Sequence, residues 1–110
     1  MKESKYHNKT ATYDGINFDS IKEARRYQEL KLLLRAGVIS DLRLQVPYEL
    51  IPAQYINGKC VERAVKYIAD FVYIENGKEV VEDAKGVRTE AYKIKRKLML
   101  HVHGIRLKET

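Results

Sequence analysis

Residues 65–86 constrain the fold most: V-K-Y-I-A-D-F-V-Y-I-E, then Asn76-Gly77, then K-E-V-V-E-D and A-K-G. Both runs are rich in β-branched and aromatic residues. Asn-Gly is the favoured pair for a two-residue hairpin turn, because both positions need positive φ. The spacing predicts two antiparallel strands, yet two residues fit a sheet badly. Asp70 lies inside the first strand, and Asp83 ends the second, two positions before Lys85. In regular strands Asp70 shares a face with Ile68 and Val72, and Asp83 shares one with Val81 and Lys85. Aspartate is depleted in strand interiors, and burying an unpaired carboxylate is costly. A hairpin brings Asp70 and Asp83 close, where each raises the other's pKa unless a cation or a proton relieves them. Mg²⁺ is suited to that task, since it takes a few carboxylates and keeps waters. The plainer arrangement has Lys85 bridging to one aspartate while the other faces solvent at an edge. Glu82 alternates with Asp83 and is expected on the solvent side.

The rest of the chain supplies elements to cover such a sheet. Residues 1–11 are polar and aperiodic at their start and read as a mobile arm ahead of one domain, 12–110. Asp14-Gly15 marks a small hairpin. Asp19-Ser20 can cap a helix over 21–36 that Gly37 stops. Residues 42–51 hold a strand in which Pro47 implies a bulge or an edge position. Residues 52–61 form a link around Asn57-Gly58. Thr89 caps a second helix over 90–101, Gly104 ends it, and 105–108 make a final short strand. The order is helix, three strands, helix, strand: an α/β domain with helices flanking a central mixed sheet.

Glu23 is the second anomaly. Glu23, Tyr27, Leu30 and Leu34 form one helical stripe, which sets a carboxylate at the start of the buried face. Ser20-Ile21-Lys22-Glu23 also matches a capping box, in which the glutamate returns to the cap residue's N–H. Both roles stay open. In the second helix Lys93 and Lys97 are one turn apart, flanked by Arg88, Lys95 and Arg96, while Ala91, Ile94, Leu98 and His101 or Val102 make the stripe that faces the sheet. The helix N-terminus at Thr89, with its free N–H groups, is a candidate phosphate seat. His101 and His103 are spaced wrongly for i, i+4 metal ligands.

The chain has 110 residues, a formal net charge of +6 and a single cysteine, Cys60. One domain with one core fits that length, and an intramolecular disulfide is excluded. The positive balance favours an anionic partner such as nucleic acid. No apolar run nears the roughly 20 residues that span a membrane, and no signal-peptide pattern opens the chain, so a cytoplasmic location is expected. Nucleotide-binding loops and serine-nucleophile motifs are absent.

Asp70 followed by Asp83-Ala84-Lys85, with Glu23 on the preceding helix, resembles the PD-(D/E)XK nuclease superfamily. The longer segments F-D-S-I-K-E-A-R-R-Y-Q-E-L, Y-I-A-D-F-V-Y and V-V-E-D-A-K-G-V-R-T are similar to a family of small phage and prophage proteins assigned to it. The likeness runs from about Thr12 to Lys108, and Ala69 stands where the nominal motif has proline. The acidic helix residue is also reminiscent of Holliday-junction resolvases. The resemblance implies a metal-dependent DNA endonuclease in phage DNA metabolism. In that scheme Asp70, Asp83 and the Ala84 carbonyl hold Mg²⁺ or Mn²⁺, and Glu23 holds a second metal or its water. Lys85 positions the attacking water or neutralises the phosphate, and Arg88, Thr89, Lys93 and Lys97 seat DNA. A chain this short has no room for a separate target-recognition domain, so structure-selective cutting is expected, with a homodimer where both strands of a symmetric substrate are cut. The rival expectation is a catalytically silent DNA-binding or accessory module of a phage replication or packaging machine. An RNA endonuclease of the same fold is a third.

Overall fold

A computed structural model describes residues 10–110. The arm expected over 1–11 lies outside the described residues as far as residue 9, and Ala11 already belongs to a strand. β1 (Ala11–Tyr13) and β2 (Ile16–Phe18) form the first hairpin, followed by α1 (Ile21–Arg35) and β3 (Ile39–Ile51). A second small hairpin, β4 (Gln54–Ile56) and β5 (Lys59–Glu62), precedes β6 (Val65–Glu75) and β7 (Lys78–Asp83). α2 (Glu90–His103) and β8 (Lys108–Glu109) complete the chain. The central sheet has the order β3-β6-β7-β8, antiparallel except for the parallel β7–β8 pair. This is an α/β domain with a mixed four-stranded sheet and two helices. Pro47 sits on β3, the edge strand, where a missing N–H is tolerated.

Asn76 and Gly77 have φ of 54° and 74°, the type I′ geometry that their sequence demands. The α1 stripe also folds as its spacing requires, with Glu23, Ala24, Tyr27 and Leu30 buried and Leu34 partly so. No described helix is long and apolar enough to cross a membrane.

Two cores, rather than the single one expected from the chain length, cover the two faces of the sheet, because both faces carry a helix. The first joins Phe18, Ala24, Tyr27 and Leu30 to Phe71 and Tyr73, and the second joins Tyr67, Ala69, Val72 and Val81 to Tyr92 and Met99. In a strand of strict period two, residues 67, 69, 71 and 73 would share one face. Here Tyr67 and Ala69 enter the α2-side core, whereas Phe71 and Tyr73 enter the α1-side core. β3 makes the same change between Leu44 and Val46. Both switches occur where the ladder passes from Leu44↔Phe71 to Val46↔Ala69, with no pair joining Gln45 to Asp70. Gln45 takes φ 53°, a left-handed conformation that costs a non-glycine residue on the order of 1–3 kcal/mol. Asp70 therefore occupies a dislocation in the sheet, and it does not share a face with both Ile68 and Val72: Ile68 is exposed and Val72 is buried.

The structure corrects four further expectations. Glu82 does not face solvent. It is 0% exposed, because α1 covers the face opposite to α2 and leaves β7 no solvated side. On α2, Ala91, Ile94 and Val102 are exposed, and the buried residues are Tyr92 and Met99. The helix is turned by polar contacts: the Tyr92 hydroxyl donates to Glu109 at 2.7 Å, and Arg96, one turn on, donates to the same carboxylate at 3.1 Å. The final strand begins at Lys108 rather than at residue 105. Gly104 closes α2, and Ile105 and Leu107 are drawn into the second core before pairing with β7 starts. The link over 52–61 is itself a hairpin, β4–β5.

Candidate active site

Three buried carboxylates from three elements lie around the dislocation. Glu23 comes from the first turn of α1, Asp70 from β6 and Asp83 from the end of β7, and none is more than 5% exposed. The β6–β7 register that pairs Phe71 with Glu82 places Asp70 across from Asp83. Asp70 accepts a hydrogen bond from the Ala84 N–H at 2.8 Å, which ties the A-K-G segment back onto β6. The Lys85 ammonium stands 4.0 Å from the other Asp70 oxygen and remains about half exposed. Asp83 accepts from the Tyr67 hydroxyl through one oxygen, while its Oδ1 is buried without a partner. Leaving such an atom unpaired costs roughly 1–3 kcal/mol.

The two readings of Glu23 separate here. Its backbone N–H donates to Ser20 Oγ at 3.1 Å, so Ser20 is the cap. The carboxylate turns inward instead, accepting from Gln45 Nε2 at 3.1 Å. The same Gln45 nitrogen lies 3.4 Å from Asp70 Oδ1. An amide N–H₂ thus occupies the place between two carboxylates where a cation would offset both. Burial, and then the charge of Asp70, push the Glu23 carboxyl up to about 7. Burial also raises Asp83, reinforced by Asp70 and opposed by the Tyr67 hydrogen bond.

These shifts have a stability consequence. A Glu23 pKa near 7, against an ordinary 4.5, means that the folded protein keeps a proton that the unfolded chain has already lost. Stability should therefore fall as pH rises from about 4.5 to 7, and Asp83 acts in the same direction. Urea midpoints across that range should decline for the wild type and stay flatter for Glu23→Gln, which should be at least as stable at pH 8. A wild-type profile that rises through the window would show that the carboxylates do not strain one another.

Behind the cluster lies a second polar network that the sequence did not announce. Arg26 grips Glu82 with two hydrogen bonds, of 2.6 and 2.9 Å, while the Tyr73 and Thr110 hydroxyls donate to the same carboxylate at 2.6 and 3.2 Å. Burial disfavours the Glu82 charge, but these donors outweigh it and hold its pKa below the usual carboxylate range. Arg26 is three residues from Glu23 on α1, and Glu82 adjoins Asp83 on β7. This clamp therefore fixes the helix against the strand at the level of the site.

The residues expected to seat DNA are not all together. Thr89 caps α2 through the Tyr92 N–H at 3.1 Å and lines a cavity of about 280 Å³ with Lys66, Lys85 and Lys95. Arg88 is bound to Glu109 at 3.0 Å, and Lys93 to Glu90 at 3.3 Å. Lys97 lines a different cavity with Arg96 and Arg106. Lys66 was missed because a lysine on a strand reads as a solvated position, and Gln45 because it falls on the polar side of the L-R-L-Q-V alternation.

The donor set suits a hard divalent cation: three carboxylates, one buried oxygen without a partner, and a neutral amide between two of them. Among the described residues no group of three or more His, Cys, Asp or Glu already stands where it could hold a metal ion. Neither the curated proteins nor the solved structures contain a match to this chain. One family profile, described as protein of unknown function (DUF1064), matches residues 3–109. The chain belongs to the DUF1064 family.

Proposed function

We propose that this protein is a divalent-metal-dependent DNA endonuclease of the PD-(D/E)XK type, acting on branched DNA. The observation that carries this reading is the placement of Glu23, Asp70 and Asp83 around the dislocation, buried and mutually repelling, beside the half-exposed Lys85. Asp70, Asp83 and the Ala84 carbonyl, with Glu23, would hold Mg²⁺ or Mn²⁺. Bound there, the ion would supply a water of lowered pKa and neutralise charge on the phosphate. Lys85 orients the attacking water and offsets the negative charge that develops as the new P–O bond forms and the ester P–O bond breaks. Thr89, Lys66 and Lys95 bind the neighbouring backbone phosphates from the cavity they share with Lys85. The Arg26–Glu82 clamp keeps Glu23 at the level of the aspartates.

The test is incubation of the purified protein with Mg²⁺ or Mn²⁺ and a panel of junction, flap, nicked and linear DNAs. Metal-dependent scission of the branched members is expected, and Asp83→Asn should abolish it. Mn²⁺ should also stabilise the fold by mass action, by about 2.7 kcal/mol at a hundredfold excess over Kd, and so raise the melting temperature. Asp83→Asn, which removes charge with little change of shape, should lose most of that shift. An equal shift in both proteins would place the metal elsewhere. The second reading is a catalytically silent DNA-binding module. It is favoured by the lack, among the described residues, of three ligands already at metal-holding geometry. It predicts DNA binding with no scission and no thermal shift.

A further inference from the structure

We infer that the β4–β5 hairpin is a wedge that enters DNA at an interrupted base stack, and so gives the nuclease-like site its preference for branch points. This rests on the DNA-cutting reading of the carboxylate site, but it concerns a different part of the molecule. β4 and β5 pair only with each other and contribute to neither core. Every residue of both strands is exposed. A lone two-stranded hairpin is marginal in water, and this one nevertheless carries large apolar groups outward: Tyr55 and Ile56 are 64% and 63% exposed, and Val61 is exposed beside them. Tyr55 and Ile56 directly precede the tight turn, where Asn57 and Gly58 both have positive φ. The end of the hairpin is therefore narrow: a polar Asn57-Gly58 turn with Ile56 and Tyr55 just behind it, one exposed on each face of the ribbon.

The root of the hairpin joins it to the site. β4 and β5 are inserted between Ile51 and Val65, which are partners at the end of the β3–β6 ladder. Lys66, the next residue, lines the same cavity as Lys85, Thr89 and Lys95. Along the chain, Lys66, Arg63 and Lys59 form an exposed cationic path from the cavity towards the turn, against Glu62 on the hairpin and Glu49 opposite Lys66. A second copy of the chain is a poor occupant: a twofold contact would bring like patches, and so like charges, together. A phosphate backbone is complementary to the same path. A two-stranded ribbon fits a DNA groove, and apolar side chains at its tip can part a base step. Unstacking an intact step is costly, whereas a flap or an open junction has already lost stacking at its branch point. Discrimination between branched and linear DNA follows from that difference.

Cys60, the only cysteine in the chain and exposed on β5, allows a direct test in the otherwise unaltered protein. The thiol is labelled with a photo-crosslinker, and four-way, flap and linear DNAs are bound in Ca²⁺ or EDTA so that nothing is cut. Cross-links should concentrate on nucleotides at the branch point. Tyr55→Ala should weaken binding to branched DNA about five- to a hundredfold, the range for loss of one stacked base, and change linear affinity less than about twofold. Its melting temperature should match the wild type. Cross-links spread evenly along the DNA, cross-links to a second protein chain, or equal loss on branched and linear DNA would each overturn the wedge. Branch-centred cross-linking in a protein that never cuts with Mn²⁺ would remove the catalytic reading and leave the wedge standing. Cutting with evenly spread cross-links would do the reverse.

Discussion

Replacing Arg26 by Ala is expected to cost about 3–5 kcal/mol of folding stability, because it strands Glu82 as an uncompensated buried charge. A small domain has only about 5–15 kcal/mol in total, so the variant should unfold at far lower urea or not fold at all. The matched control is the double variant Arg26→Met, Glu82→Gln, which removes both charges and keeps much of the volume. It should recover a large part of the loss, since a buried pair replaced together is often near neutral. Acid should act through the same pair. Glu82 has a pKa below the usual carboxylate range, so its contribution is present above about 4.5 and fades as pH falls through the depressed value. This slope is opposite in sign to that of Glu23, and the two together give a stability maximum on the mildly acidic side of neutrality. Equal stability of Arg26→Ala and the wild type would mean that Glu82 is hydrated, and the clamp would have no role.

Lys85→Ala is expected to reduce DNA cleavage about a hundred- to a thousandfold, the scale for loss of one group aimed at developing charge. Affinity for DNA, measured in Ca²⁺, should stay within about twofold, because Thr89, Lys66 and Lys95 remain around the same cavity. Lys66→Ala with Lys95→Ala should do the opposite: weaker binding, with the slope of log affinity against log salt shallower by about 0.9 for each phosphate that is no longer neutralised. Lys93→Ala with Lys97→Ala is the weaker variant for this purpose, since Lys93 is already paired with Glu90 and Lys97 lines another cavity. If Lys85→Ala weakens binding as much as the Lys66 and Lys95 pair, Lys85 only neutralises a backbone phosphate and the silent-module reading gains.

Two of the three hairpins were legible at Asp14-Gly15 and Asn76-Gly77, because each turn rests on two adjacent residues, whereas Asn57-Gly58 was read only as the centre of a link. Asp14-Gly15, Asn57-Gly58 and Asn76-Gly77 all adopt the positive φ values that their residue types favour. The caps at Ser20 and Thr89 and the stop at Gly104 were legible for the same reason, since a helix end is decided by a few neighbouring groups. The candidate carboxylates were legible as misfits. Asp70 and Asp83 sit where a strand wants apolar side chains, and Glu23 sits on an apolar helical stripe.

What stayed hidden depends on which surfaces meet. Glu82 looked solvated because strand alternation says only which residues share a face. It took α1 and Arg26 on the far side to make that face an interior. Ala91 and Ile94 looked like core because they have helical spacing with Leu98, which alone of the three packs against the second core. The bonds from Tyr92 and Arg96 to Glu109, on a strand over ten residues later, decided the rotation. Gln45 gave no signal, because its importance comes from a left-handed φ and from its position opposite Asp70. Short-range stereochemistry thus set the turns, the caps and the identity of the acidic residues. Only the tertiary structure, through a dislocation shared by two strands and two helices covering opposite faces, decided that those acids lie buried around one point, because burial and charge pairing are properties of surfaces far apart in the chain.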